Sequence, residues 1–429
     1  MTKRRSILPT PLALAIVLSF VVFLLALFFT TSSDDEGIYA LELLNFYQKG
    51  IWDLLGFAMQ MMLILVLGNV LALTPIFQKL IGFVLKGINN ATTAIVITAL
   101  FSILLSYFNW GLGLIFSALL ARAIGENFKT KSISINYPLL VAAAYSGMMV
   151  WHGGLSGSAT LKVAEEKHFL ADKIGVIQVS ETIFSTMNII LFMAVLLMIP
   201  LTFFIISRVS KNTTAQNNLP QSTFVESKEN KRQYISLIMG VVLLFMALYQ
   251  FYENGMSALN INIINLILLG LGFVLYANIE QFMKAVNSAI SSSSGIMIQF
   301  PIYAGIMGLM KYSGLITIFT QNLVDVSTPD TFPIYSFISA AVVNFFVPSG
   351  GGQWAVQGPI LVDAAQQLGV SVPKTIMALA YGDQLTNMIQ PFWAFPLLSI
   401  TGVKAKDILP YTFIIMLVGV VCSIAVLLW

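Results

Sequence analysis

The sequence predicts an all-α polytopic membrane protein with about 11 to 13 membrane segments, some of them re-entrant hairpins or broken helices. Three observations predict it: a composition no water-soluble core can hide, apolar runs of spanning length, and motifs that recur in both halves. Of the 429 residues, 57% are hydrophobic and only 10% are charged, against about 25% charged in ordinary soluble domains. The mean hydropathy is +0.86. A net charge of +3 is too small to argue for nucleic acid. One cysteine, Cys422, excludes an intrachain disulfide and a cysteine metal site, and two histidines exclude most histidine-rich ones. No resident metal or organic cofactor is expected.

The elements follow from the uncharged runs. They span 11–30, 54–78, 87–121, 182–207, 233–252, 254–279, 285–310 and 408–429. The N-terminal run has the basic flank of a signal peptide but no small-residue cleavage site, and it reads as a retained first helix. The stretch 87–121 is long enough to enter the bilayer and turn back. Residues 132–161 and 331–362 carry no Asp, Glu, Lys or Arg but are rich in Gly, Ser and Asn. By the positive-inside rule, Lys3, Arg4 and Arg5 place the N-terminus in the cytoplasm, with Asp34, Asp35 and Glu36 outside. The polar stretch 208–232 then reads as a flexible cytoplasmic linker. The division expected is a first helix and external loop over 1–50, a first repeat over 51–207, the linker, connecting helices over 233–284, and a second repeat over 285–429.

The repeat rests on three matches in the same order. Gly56-Phe57-Ala58-Met59-Gln60 parallels Gly295-Ile296-Met297-Ile298-Gln299, Asn109 parallels Asn344, and Ala144-Tyr145 parallels Ala380-Tyr381, at offsets of 239, 235 and 236. Counting crossings makes the two copies inverted. Inverted repeats are a signature of secondary transporters, with substrate near the midplane between the copies.

The strongest local feature is Asn344-Phe345-Phe346-Val347-Pro348-Ser349-Gly350-Gly351-Gly352-Gln353-Trp354. Proline and three glycines interrupt a helix, so the stretch reads as a hairpin tip or broken helix, or as a loop at the membrane surface. As a tip, its free N–H groups could cradle a carboxylate, aided by a helix starting near Gln353. A P-loop is excluded because no lysine follows the glycines. The counterpart in the first half is Asn109-Trp110-Gly111-Leu112-Gly113, where Gly111 and Gly113 could equally be close-packing devices. Gly153 to Ser158, including Ser156, reads as an unwound ligand-facing segment. Asp383 lies in apolar sequence, and an acid there is expensive enough to imply a functional site. It could carry a proton, ligate Na⁺ with Asn387 one turn on, or serve structurally at a helix end. Glu181 heads a polar stripe with Ser185 and Asn188 and is a second ion-coupling candidate. His152 reads as a structural histidine or a proton relay. Gln390-Pro391-Phe392-Trp393 should break its helix. All five arginines fall at the ends of apolar runs or in linkers, so no deep bidentate clamp on a carboxylate is expected. A site of neutral donors suits one negative charge better than two, and Trp110, Trp354, Phe392 and Trp393 could hold a short apolar tail.

The chain resembles the bacterial short-chain fatty acid transporter family, within the wider ion transporter superfamily. The likeness covers nearly the whole chain. It rests on Trp52-Asp53-Leu54-Leu55-Gly56-Phe57-Ala58-Met59-Gln60-Met61, Asn109-Trp110-Gly111-Leu112-Gly113-Leu114, the Asn344 to Trp354 segment, Ala380-Tyr381-Gly382-Asp383-Gln384 and Gln390-Pro391-Phe392-Trp393-Ala394. The resemblance implies an elevator-like fold with two hairpins, and uptake of acetoacetate, butyrate and similar acids driven by a cation, H⁺ or Na⁺. The residues singled out above as candidates for substrate binding are Asn109, Gly111, Gly113, Ser156, Asn344, Ser349, Gly350, Gly351, Gly352 and Gln353, and for ion coupling Asp383, Asn387 and Glu181. The partners expected are a short-chain monocarboxylate and the lipid bilayer of a bacterial inner membrane, with no nucleic acid; a homodimer is among the assemblies allowed. The competing readings are an ion-coupled dicarboxylate carrier, a channel, and a membrane-embedded enzyme. The enzyme reading lacks both a second deep aspartate and a His-Glu-x-x-His motif.

Overall fold

A computed structural model describes residues 11–32, 38–210, 232–345 and 347–429. The described residues form helices joined by turns and contain no strand. The acids at 34–36 and most of the 208–232 linker lie outside them.

In chain order the helices are α1 (Pro11–Phe29), α2 (Tyr39–Gly50), α3 (Leu55–Ala72), α4 (Pro75–Gly87), α5 (Ala91–Phe108), α6 (Trp110–Thr130) and α7 (Tyr137–Tyr145). Then come the short α8 (Ser158–Lys162) and α9 (Ala171–Ile174), and α10 (Thr186–Val209), α11 (Tyr234–Asn254), α12 (Ile261–Tyr276) and α13 (Ile279–Ser313). The last six are α14 (Leu315–Asp325), α15 (Phe332–Val343), α16 (Gly350–Leu368), α17 (Val372–Thr386), α18 (Pro391–Thr401) and α19 (Ala405–Leu427). Starts are set by local chemistry. Asn90, Asn109, Asn136, Ser185, Asn260 and Ser349 each cap a helix by accepting a backbone N–H of its first turn. Proline opens α4 and α18, where its missing N–H costs nothing.

Among the described residues, six helices are long and apolar enough to cross a membrane, or seven if α13 from Met297 and α14, bent by 80°, count as one span. Four more apolar helices are shorter, at 10–17 residues. The sequence count of 11 to 13 included segments of this shorter kind; proline and turn residues divide the apolar runs more finely than charge alone reveals. The spans differ in burial. The α6 window is 83% buried, while the window starting at Tyr234 is 17% buried, with Phe245, Leu248 and Tyr252 exposed. Apolar side chains turned outward on a spanning helix are what hydrocarbon requires.

The chain divides into two compact units. The first contains residues up to Met62 and Ser293–Asp383; the second contains Leu63–Ser292 and Gln384–Trp429. The divisions fall inside α3, α13 and α17. In the first unit, α2 meets α13 at a glycine pair: a Cβ on Gly50 would lie 2.5 Å from the Ala304 carbonyl oxygen, and one on Gly308 would lie 2.6 Å from the Gly50 Cα. Small residues let helix backbones approach this closely. In the second unit, α11 and α12 cross the same way at Gly240, whose Cβ would lie 2.8 Å from the Gly270 carbonyl oxygen.

Candidate functional site

Each unit contains a helical hairpin with a buried polar tip. In the second unit only Asn109 separates α5 from α6. The chain reverses there, bringing Gly113 so close to Ser106 that a Cβ would lie 2.6 Å from the Ser106 backbone nitrogen. Asn109 is fully buried and both ends of its amide are used. Its Oδ1 accepts the Leu112 N–H at 2.9 Å, and its Nδ2 donates to the Ile64 carbonyl at 3.3 Å. Gly68 and Gly111 admit the contact with α3, since Cβ atoms there would meet Asn109 Oδ1 at 2.0 Å and the Leu65 carbonyl oxygen at 3.0 Å.

The glycine-rich segment after α7 wraps this tip. No helix forms between Val150 and Gly157, although Trp151 to Gly154 and Ser156 to Gly157 are buried. The Leu155 N–H donates to the Tyr107 carbonyl at 2.7 Å, and Ser156 Oγ accepts the Trp110 N–H at 3.0 Å. Gly154 and Gly157 could carry no side chain, because a Cβ would lie 2.3 Å from the Tyr107 carbonyl oxygen and 2.0 Å from that of His152. Asn188 Nδ2 donates to the carbonyls of Gly153 and Ile183 at 2.8 and 2.7 Å, and Gln384 Oε1 accepts the N–H groups of His152 and Gly153 at 3.1 and 3.2 Å. His152 Nε2 accepts the Ala159 N–H at 3.1 Å, a role a doubly protonated ring could not fill. Asn387 is buried in the 3₁₀ turn after α17, and its carbonyl accepts the Tyr145 hydroxyl at 2.8 Å.

In the first unit the tip joins α15 to α16. The helix starts at Gly350, three residues before the expected Gln353, because Ser349 caps it and the glycines occupy its first turn. Aromatic rings press on that turn. A Cβ on Gly351 would lie 2.9 Å from Phe300 and 3.0 Å from Phe57, and one on Gly352 would lie 2.5 Å from Tyr303. These two glycines therefore have a packing reason of their own. The N–H groups of Gly350 and Gly351 have no partner among the described residues, as the first turn of a helix dictates. Gln353 is fully buried; its Nε2 donates to the Ala340 carbonyl and to Gln357 Oε1, each at 2.9 Å. Asn344 Nδ2 donates to the Asp383 carbonyl at 2.8 Å, and Asp383 is itself fully buried in α17.

Other groups sit elsewhere. Glu181 is exposed and closes a turn by accepting the Gln178 N–H at 3.3 Å. Arg122 differs from the sequence expectation: it is buried inside α6, not placed at an edge, and it is paired with Glu126 at 2.9 Å. The helix simply continues through it to Thr130. Sequence reasoning also missed a buried ion pair, Lys162 to Glu165 at 2.6 Å, with His168 buried close by. The run Lys162 to His168 is charge-rich, with only Val163 and Ala164 apolar, and nothing local marks it as buried. Among the described residues, no group of three or more His, Cys, Asp or Glu could hold a metal ion.

An all-helical chain with apolar spans and buried, uncharged hairpin tips belongs to the multi-pass membrane transport proteins. The same fold is seen in the YdaH transporter of Alcanivorax borkumensis, with a TM-score of 0.63 at 13% identity, covering 98% of each chain. MtrF of Neisseria gonorrhoeae, described as representing a class of antimetabolite efflux pumps, aligns with a TM-score of 0.57 at 13% identity over 99% of this chain and 95% of its own. The chain belongs to the short chain fatty acid transporter family, which it matches over residues 1–429. A protein of Escherichia coli (strain K12), named as a candidate short-chain fatty acid transporter, is 34% identical over 417 residues, 94% of this chain and 92% of its own. A protein of Haemophilus influenzae (strain ATCC 51907 / DSM 11121 / KW20 / Rd), named the same way, is 34% identical over 424 residues with the same coverage. The chain is a transport protein and not an enzyme.

Proposed function

We propose that this protein takes up short-chain monocarboxylates of the butyrate and acetoacetate type by symport with a cation, a proton in the first instance. The observation that carries the reading is the pair of buried helix N-termini, α6 at Asn109 and α16 at Ser349, each at the tip of a hairpin and each without a cationic side chain in its first turn. Helix N-termini favour anions through oriented N–H groups. A single carboxylate can be accommodated by such neutral donors, whereas a second desolvated charge needs several more. We assign substrate recognition to residues among Asn109, Gly111, Gly113, Ser156, Asn344, Ser349, Gly350, Gly351, Gly352 and Gln353. Asp383 is assigned to the coupling ion, with Asn387 and Glu181 as secondary candidates. The two halves act as inverted repeats in a bacterial inner membrane, with the N-terminus in the cytoplasm.

Uptake of labelled butyrate into sealed vesicles, with imposed proton or sodium gradients, tests this reading. Accumulation above the external concentration, driven by one gradient and competed better by acetoacetate than by succinate, is the expected result. Passive equilibration would mean a channel, and stronger inhibition by succinate than by butyrate would mean a dicarboxylate carrier.

A further inference from the structure

The amides at both hairpin tips donate within the protein. Asn109 Nδ2 goes to Ile64, Asn344 Nδ2 to Asp383, and Gln353 Nε2 to Ala340 and Gln357. Two strong donors in the second unit do not. The indole N–H groups of Trp110 and Trp151 are buried with no hydrogen-bond partner among the described residues, and the two residues are only 3% and 2% exposed. They belong to one cluster. The ring centroids of Trp110 and Trp151 are 5.9 Å apart, and the half-buried Trp393 lies 5.3 Å from the first and 6.5 Å from the second. Buried indole N–H groups find a partner in nearly every protein, so two orphans on touching rings point to a missing acceptor.

We propose that Trp110 and Trp151 are the donors that receive the substrate carboxylate, and that the three indole faces hold its short alkyl chain. Two N–H groups on neighbouring rings match the two oxygens of one carboxylate, which accepts and never donates when ionised. Trp110 is the first residue of α6, so the helix dipole also favours negative charge there. Both rings are held in place before the ligand arrives. The Trp110 backbone is fixed by Ser156 Oγ, and Trp151 stacks on His152 at 4.6 Å with an interplanar angle of 16°. His152 is fixed in turn by the Ala159 N–H. The ring surfaces of the three indoles offer apolar contact to a tail of a few carbons.

This assignment rests on the monocarboxylate reading above, and the test separates the two. The full chain is reconstituted in lipid nanodiscs and its melting temperature is measured with and without butyrate, with chloride as the control anion, for wild type, W110F and W151F. Wild type should be stabilised by butyrate and not by chloride. Benzothienylalanine at either position keeps the bicyclic shape and removes only the N–H, so those variants should melt at or above the ligand-free wild-type temperature; W110F and W151F also lose buried ring volume and are compared by their response to butyrate. Every variant should lose most of the butyrate-dependent rise and, in sealed vesicles, show a KM for butyrate uptake raised tenfold or more. Variants that respond to butyrate like wild type would overturn the indole assignment alone, as would a lowered ligand-free melting temperature of the benzothienylalanine variants or an equal response to chloride. A wild type that no short-chain carboxylate stabilises would overturn both readings.

Discussion

The side-chain amide of Asn344 donates to the backbone carbonyl of Asp383 at 2.8 Å, tying the end of α15 to the last turn of α17. The bond links two helices that are 39 residues apart in the chain. Asn344→Ala should destabilise the protein by about 0.5–1.5 kcal/mol, the net worth of one such hydrogen bond. It should also lower butyrate uptake, because the backbone carrying Asp383 is released. Chemical denaturation and initial uptake rates check this, and unchanged values in both would show that the bond holds nothing.

Asp383→Asn should abolish the dependence of uptake on the ion gradient while the protein stays folded in the membrane. Asp383 is fully buried, and an acid in such a place is retained at a cost. Exchange of labelled for unlabelled butyrate should survive. If the variant still accumulates substrate at the wild-type level, coupling belongs to another group.

The Lys162–Glu165 pair gives a stability prediction independent of transport. Both side chains are nine-tenths buried. Removing one partner leaves a buried charge uncompensated, so Lys162→Met should cost about 3–5 kcal/mol. The double variant Lys162→Met/Glu165→Leu should recover most of that loss. Thermal melts of wild type, the single variant and the double variant measure it, and equal losses in both variants would contradict it.

His168 gives stability a pH dependence. It lies outside the spanning helices, and burial pushes it below its ordinary value of 6.5, against a raising effect from its bond to the Gly175 carbonyl. Nearby Lys162 lowers it further and Glu165 raises it. A histidine depressed in the fold binds its proton more readily when unfolded, so its stabilising contribution is complete above pH 6.5 and declines as pH falls below that value. The melting temperature should drop as pH falls below 6.5, more steeply in wild type than in His168→Gln. Parallel curves for the two proteins would assign the pH dependence to other groups.

Glycine substitutions separate packing from tolerance. A Cβ at Gly113 would meet the Ser106 backbone nitrogen at 2.6 Å, which no side-chain rotation relieves. Gly113→Ala should cost about 1–3 kcal/mol. Exposed Gly82 in α4 has nothing within 4 Å of its would-be Cβ, and Gly82→Ala should raise stability by up to about 1 kcal/mol. Melting curves of the two variants should move in opposite directions.

What could be read in advance divides by sequence distance. The breaks at Asn109 and at Ser349-Gly350, the buried acid at 383 and the proline that opens α18 are local signals, carried by residues that cap, bend or resist burial. The occupancy of each donor was not legible. Asn344 and Asn109 read as free amides because their acceptors, the carbonyls of Asp383 and Ile64, lie 39 and 45 residues away in the chain. Gly351 and Gly352 read as a ligand cradle because nothing local announces Phe57, Phe300 and Tyr303 against them. Nothing local singles out Trp151; its meeting with Trp110 and Trp393 is set by the wrapping of the glycine-rich segment. Arg122 passed as an end residue because sequence marks where charge begins, not where a helix stops.

The single-residue joint at Asn109 has no slack. One residue inserted there would turn α6 by about 100° about its axis, carrying Gly113 off Ser106 and presenting a bulkier neighbour to α5. One residue deleted would merge α5 and α6 into a continuous rod. Length changes at this position cannot be absorbed gradually, so the joint should tolerate a substitution far better than an insertion or a deletion.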